Sequence, residues 1–165
     1  MRKASAALGS VLFLVFVSGG AAVVVPWWLT GGRRCGHWWP PLRLLGLLPL
    51  PAGAAVILEA FSRFALEGLG TPAPVAPPAR LVVSGPYRYV RNPIYVAVVA
   101  VLFGQGLLPA RPVLLGYAAG AWVLTWAFVR WYEEPGLVRR FGTEYERYRR
   151  AVPARCPRRP PRRGA

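Results

Sequence analysis

Two polar stretches interrupt an otherwise apolar chain, and both carry residue types able to hold a charged ligand. The first runs Leu81-Val82-Val83-Ser84-Gly85-Pro86-Tyr87-Arg88-Tyr89-Val90-Arg91-Asn92-Pro93-Ile94-Tyr95. The second opens on the adjacent carboxylates Glu133 and Glu134 and continues through Phe141-Gly142-Thr143-Glu144-Tyr145-Glu146-Arg147-Tyr148. Paired carboxylates can hold an ammonium group or ribose hydroxyls. Asn92 and Pro93 predict a helix start, since Asn suits the N-cap and Pro the first turn. A helix N-terminus favours an anion such as a carboxylate. Tyrosine rings can face a cation. A zwitterionic sulfonium such as S-adenosylmethionine presents all of these groups, although they do not single it out. The same residues also have a plain reading. Arg88 and Arg91 would then be charges flanking an apolar helix, and Tyr87, Tyr89 and Tyr95 interfacial aromatics. Glu133 and Glu134 would be a solvated helix end paired with Arg130, Arg139 or Arg140.

The elements that must position these stretches are apolar. Hydrophobic residues make up 55% of the 165 residues and charged residues 16%, against about 25% charged in an ordinary soluble domain. Too little polar surface remains to cover a soluble globule, so an all-α integral membrane protein is expected. Residues Ala4 to Gly32 carry no charge and can span a bilayer core, which needs about 20 residues. The start Met1-Arg2-Lys3 also resembles a signal peptide, but the apolar run is longer than a usual h-region. Trp27, Trp28, Trp38 and Trp39 are then expected in an interfacial aromatic belt. A second segment runs from near Leu42 to Leu66. It must include Glu59 and Arg63, spaced to pair on one helix face, and Pro49 and Pro51 should kink it. Glu59 could alternatively line a substrate cleft. Gly68 to Ala79 holds four prolines and reads as a linker. The third and fourth runs, Pro93 to Leu108 and Pro112 to Trp131, are separated by Pro109-Ala110-Arg111 and predict an antiparallel hairpin. Gly116, Ala119, Gly120 and Ala121 offer the small side chains that permit close helix approach in lipid.

Charge gives the orientation. Net charge is +15, and eleven of the arginines lie from Arg130 onward. That distribution flanks apolar runs and argues against nucleic-acid binding. With the N-terminus inside, Arg2, Lys3, Arg80, Arg88, Arg91 and the C-terminal arginines collect on one face. The other face holds Arg33, Arg34, Arg43 and Arg111, so four spans with both termini cytoplasmic are expected. Pro153 to Ala165 should be disordered and drawn to anionic lipid. All six acids are Glu, with one His and two Cys. Zinc and calcium sites are close to excluded, and a Ser-His-Asp triad is excluded outright.

The stretch Gly85-Pro86-Tyr87-Arg88-Tyr89-Val90-Arg91-Asn92-Pro93-Ile94-Tyr95 resembles the signature G-P-[YF]-x-x-x-R-[HN]-P-x-Y. That signature marks integral-membrane methyltransferases, including isoprenylcysteine carboxyl methyltransferases and phospholipid methyltransferases. Glu133-Glu134 with Phe141-Gly142, Tyr145, Tyr148 and Val152-Pro153 is similar to the family's second block. The resemblance covers residues 80 to 157. It divides the chain into membrane helices and linker (1–79), a cofactor-binding region (80–157) and an Arg/Pro tail (158–165).

The resemblance implies S-adenosylmethionine as methyl donor, a lipophilic acceptor from the bilayer, and a C-terminal segment closing over the cofactor. Carried over, Leu81, Val82, Tyr87, Asn92, Pro93, Ile94 and Tyr95 fall on cofactor-contacting positions, with Glu133 and Glu134 in the same pocket. Glu133 and Arg130 are the candidates for catalysis and the acceptor. Many members have His where this chain has Asn92. A carboxylate acceptor is already ionised at neutral pH and needs no base, whereas an amine must first lose a proton. Asn92 therefore tilts the expectation toward an isoprenylcysteine-like carboxylate over a phospholipid amine. A non-catalytic helical bundle binding lipid or a protein is the alternative from another class. Arginine-rich, lysine-poor composition points to a GC-rich bacterium and its plasma membrane.

Overall fold

The computed structural model describes residues 19–31, 41, 44–63, 66–67, 80–108 and 110–156, and every regular element among them is helical. Helix α1 is Gly20–Thr30, α2 is Pro49–Arg63, α3 is Pro93–Leu107 and α4 is Pro112–Phe128. A π-helical turn, Val129–Glu133, carries α4 directly into α5, Glu134–Phe141. Gly142, at φ +50°, breaks the chain before α6, Thr143–Ala151. Much of the first expected span, Trp38, Trp39, the linker and residues 157–165 lie outside the described residues.

The hairpin forms as expected. Pro93 and Pro112 each open a helix, where a missing N–H costs nothing. The turn between them closes with Ala110 N–H on the Leu107 carbonyl (3.0 Å) and Arg111 N–H on the Gly106 carbonyl (3.0 Å). Among the described residues the expected contacts are not the ones used. No described residue lies within 4 Å of a Cβ placed on Gly116 or Gly120, and they leave Ala119 exposed. The close approaches come instead from Gly46, Gly53 and Gly104, where α2 meets α3. A Cβ at Gly104 would sit 2.8 Å from the Gly46 carbonyl oxygen, and one at Gly53 would sit 2.8 Å from that of Ala97. Period alone put the small residues of α4 and those of α3 on equal footing. Which pair of faces meets is a tertiary outcome.

The prolines of α2 also act differently from the expectation. Pro49 and Pro51 stand in its first turn, and the turn before them tightens to a 3₁₀ helix, Leu45–Leu47. No helical N–H is lost at a first turn, so the helix body runs unbroken to Arg63.

Pro26 has a larger effect on α1. Its missing N–H leaves the Ala22 carbonyl without the usual partner. A π-helical turn over Gly20–Val24 sends Val25 N–H to Gly20, which strips Ala21 as well. The hairpin supplies both donors. Gln105 Nε2 donates to Ala22 O (2.6 Å) and Tyr117 OH to Ala21 O (3.1 Å). Away from water an orphan carbonyl costs several kcal/mol, on the order of what seats α1 against α3 and α4.

Among the described residues, two helices are long and apolar enough to cross a membrane: Leu45–Arg63, and Pro112–Phe141 at 30 residues. Gly20–Thr30 and Pro93–Leu107 are apolar but shorter. Trp27, Trp28, Val123, Leu124 and Trp131 are exposed. Continuous outward apolar surface of this kind fits lipid as its solvent. The buried core, Ala60, Phe61, Val82, Tyr87 and Ile94, lies where the end of α2, the 80–92 loop and the start of α3 meet.

Candidate active site

The loop before α3 is shaped by Gly85, whose φ of +55° disfavours any residue with a Cβ. Its Cβ position is also closed by Arg63 Nε at 3.1 Å and Glu59 Oε1 at 3.3 Å. Gly85–Arg88 then forms a 3₁₀ turn that returns the chain toward α3. Arg63 pairs with Glu59 (2.9 Å), as the i,i+4 spacing predicts, and with Glu67 (2.9 Å). Ser84 Oγ donates to Glu67, and that hydrogen bond holds the Glu67 carboxyl below its usual range, with Arg63 adding to the effect.

The two polar stretches meet at one end of the hairpin. Arg91 Nη1 donates to Glu134 Oε1 at 2.5 Å and to Tyr145 OH at 3.3 Å. The Arg91 and Glu134 side chains are only 10% and 8% exposed. Arg149 approaches the other Glu134 oxygen at 3.8 Å. Both oxygens of Glu134 are thus engaged. Glu133 is in a different position. It lies beside Tyr95, which interacts with its carboxylate, while its Oε2 is buried and has no partner among the described residues. Tyr95 is backed edge-on by Phe128 (6.4 Å, 75°), which stacks on Tyr132. The π-helical turn ends at Glu133, and Pro135 follows at the second position of α5. Proline clashes with the carbonyl four residues back, and a widened turn relieves this. The adjacent carboxylates then reach two different partners.

The C-terminal end folds back as a strap over this junction. Arg91 N–H donates to Pro153 O (2.9 Å), and Asn92 N–H to Ala154 O (3.3 Å). Asn92 Nδ2 also donates to Ala154 O (3.3 Å). Asn92 does stand at the N-cap, but its side chain makes no cap hydrogen bond. It fastens the strap instead. Tyr148 OH donates to Tyr87 O at 2.7 Å. Burial raises the pKa of Tyr87, Tyr145 and Tyr148, and at Tyr145 the Arg91 guanidinium partly opposes this. Tyr148 therefore stays a protonated donor at neutral pH.

The residues carried over from the sequence divide into three groups. Glu133, Tyr95, Asn92 and Glu134 converge on the junction. Val82, Tyr87, Pro93 and Ile94 are buried in the supporting core, and Leu81 is half-buried beside it. Arg130 is exposed and forms no ion pair among the described residues. Arg91, Tyr145, Tyr148 and Arg155 were not among the predicted site residues. Arg91 stands inside the R-N-P motif, a signal that reads equally as a flanking charge. Only the fold shows that it faces Glu134.

A second concavity of about 730 Å³ lies between α2 and α3. Pro49, Gly53, Val56 and Ala97 line its depth, and Glu59, Arg63 and Arg88 its rim. Glu59 is thus a paired charge that also lines this concavity.

The junction combines a carboxylate oxygen and a guanidinium nitrogen that are buried and without a partner among the described residues, Oε2 of Glu133 and Nε of Arg91. A zwitterion needs that donor and acceptor set. The profile of the phospholipid methyltransferase family matches residues 43–144, more than half of the chain. The chain belongs to the phospholipid methyltransferase family. A search of curated proteins returned no match. The family match begins ahead of α2, well before the motif-bearing region, so α2, α3 and α4 are included in the resemblance. Membership makes the chain a methyltransferase of a family that generally uses S-adenosylmethionine. Together with the two long apolar helices, it fits a membrane protein.

Proposed function

We propose that the protein is an S-adenosylmethionine-dependent methyltransferase acting on a lipophilic acceptor at the cytoplasmic face of a membrane. The observation that carries this reading is the Oε2 of Glu133 beside Tyr95, buried and without a partner among the described residues, at the junction the strap ties to Arg91 and Asn92. Buried polar atoms are normally satisfied, and an exception in a family of enzymes marks where a ligand belongs. Arg91 Nε and the Glu133 carboxylate suit the anionic and cationic or hydroxyl parts of the cofactor. Bound there, the cofactor would supply an electrophilic methyl group on sulfonium for transfer to the acceptor's lone pair, with the thioether as leaving group. The protein's own part is positioning and exclusion of water. Tyr95 orients Glu133, and Asn92 and Tyr148 hold the strap and loop together.

The first reading of the acceptor is an isoprenylcysteine-like carboxylate. Asn92 offers no base, and its amide is committed to Ala154. A phospholipid amine is the second reading, favoured by the family's description and by the free Glu133 oxygen, which could take the amine's proton. Purified protein given labelled cofactor and bacterial lipid extract should label a lipid. A methyl ester releases its label as methanol in mild base, whereas an N-methyl group keeps it. No incorporation into any lipid, with no affinity for S-adenosylhomocysteine, would remove the enzyme reading in favour of a lipid-binding bundle.

The orientation belongs to the same proposal. The ends of α2 and α4, the start of α3 and the strap gather at one end, and that end carries Arg88, Arg91 and the C-terminal arginines. Four spans with both termini inside place it in the cytoplasm. Cys156 is exposed there. A membrane-impermeant thiol reagent on intact cells should label Cys35 and spare Cys156 until the cells are opened. Labelling of Cys156 in intact cells would reverse the orientation.

A further inference from the structure

The strap ends in a side chain that the cofactor reading leaves unused. Arg155 extends from it along α4, and its guanidinium lies 4.4 Å from the ring centroid of Trp122. Trp122 is eleven residues before Glu133 on the same helix, about 16 Å toward the bilayer interior at 1.5 Å per residue. The residues between, Trp126 and Val129, fall on the same helical face, so one stripe runs from Trp122 up to Glu133. Trp122 is itself partly open to the surroundings. Nη2 of Arg155 is buried and finds no acceptor among the described residues. Burial lowers its pKa and Glu134 only partly opposes this, since both oxygens of that carboxylate already face Arg91 and Arg149. A cation at membrane depth with an unsatisfied donor is costly, and where such residues occur they serve ligands or ion pathways. Stacking on the indole face offsets part of that cost. It also leaves the guanidinium edge free to donate to an oxyanion in the guanidinium plane.

We propose that Arg155, stacked on Trp122, binds the anionic group of the lipid acceptor, a carboxylate or phosphate entering from the bilayer, and so sets the acceptor against Glu133 and Tyr95. This rests on the methyltransferase reading. The lipid is preferred to the cofactor's own carboxylate because of position. The cofactor reading already uses Arg91 and Glu133 at the junction. Arg155 lies farther along α4, beside a tryptophan open to lipid. Arg130, the sequence-based candidate for the same task, is exposed at the end of α4 with no such pocket.

The test uses the full chain in phosphatidylcholine nanodiscs, with dodecyl phosphate and dodecanol as probes of equal chain length and inorganic phosphate as competitor. Wild-type protein should bind dodecyl phosphate about tenfold or more tighter than dodecanol, the scale of a charge-assisted hydrogen bond. Arg155→Gln should erase that preference to within about twofold, and Arg155→Lys should retain part of it, since the charge survives without the planar fork. S-adenosylhomocysteine affinity should change by less than about twofold in both variants, because Arg91 and Glu133 are intact. Both variants keep the C-terminal arginines, so attraction of the tail to anionic lipid cancels in the comparison. The proposal is overturned by a preference that persists in Arg155→Gln. It is equally overturned by loss of S-adenosylhomocysteine binding with the alkyl preference intact, which would assign Arg155 to the cofactor. Equal competition by inorganic phosphate would show a site for free anions and also defeat it. If wild-type protein binds no S-adenosylhomocysteine, the methyltransferase reading fails, and the alkyl-phosphate comparison still decides whether Arg155 is a lipid-anion site.

Discussion

Glu134→Gln should unfold the protein at a markedly lower temperature, while Glu144→Gln should not. Glu134 is buried against Arg91 at 2.5 Å, and Arg91 also reaches Tyr145 and, through its backbone, the strap. Removing one partner of a buried pair strands the other charge away from water, at a cost of ~3–5 kcal/mol. Glu144 is exposed on α6, and substitutions at such positions usually stay within about 0.5 kcal/mol. The double variant Arg91→Met with Glu134→Leu should recover much of the loss, since no charge is then left unpaired. The measurement is thermal unfolding of detergent-purified protein without ligand. Equal transition temperatures for Glu134→Gln and Glu144→Gln would mean that the pair is solvated and not a structural tie.

Glu133→Gln should do the opposite, sparing stability and weakening the ligand. The amide keeps the shape and can still accept from Tyr95, but it loses the charge that its open oxygen offers. A hydrogen bond to a charged group contributes ~1.5–3 kcal/mol, or about 10- to 150-fold in affinity. Calorimetry with S-adenosylhomocysteine in detergent should register that loss in Glu133→Gln, with the apo transition temperature nearly unchanged. Tyr95→Phe should lose less, since the ring still packs on Phe128 and only the orienting hydroxyl goes. Adjacent carboxylates thus carry separable tasks, one of holding the fold and one of facing the ligand. Equal affinities for wild type and Glu133→Gln would take Glu133 out of the site.

Much of this was legible in the residues. Apolar runs bounded by proline marked α3 and α4, because proline is harmless only at a helix start and three residues between two such runs force a hairpin. The hairpin alone then brings the start of α3 beside the end of α4, so the convergence of Asn92–Tyr95 with Glu133–Glu134 follows from connectivity. Glu59 and Arg63 paired because i,i+4 neighbours share a helix face. The motif blocks pointed to the family that the match over residues 43–144 bears out.

Tertiary structure decided what depends on which faces meet. Gly104 touches Gly46, and Gly116 touches none of the described residues, because helix period ranks faces by composition and does not select their partners. Gln105 and Tyr117 found the carbonyls that Pro26 strips on α1, a pairing between residues more than eighty apart that no local pattern encodes. Glu133 and Glu134 are chemically identical neighbours in the chain. Adjacent helix positions point apart, and the fold sets one beside Tyr95 and the other against Arg91, so burial gives an identical pair of carboxylates different partners.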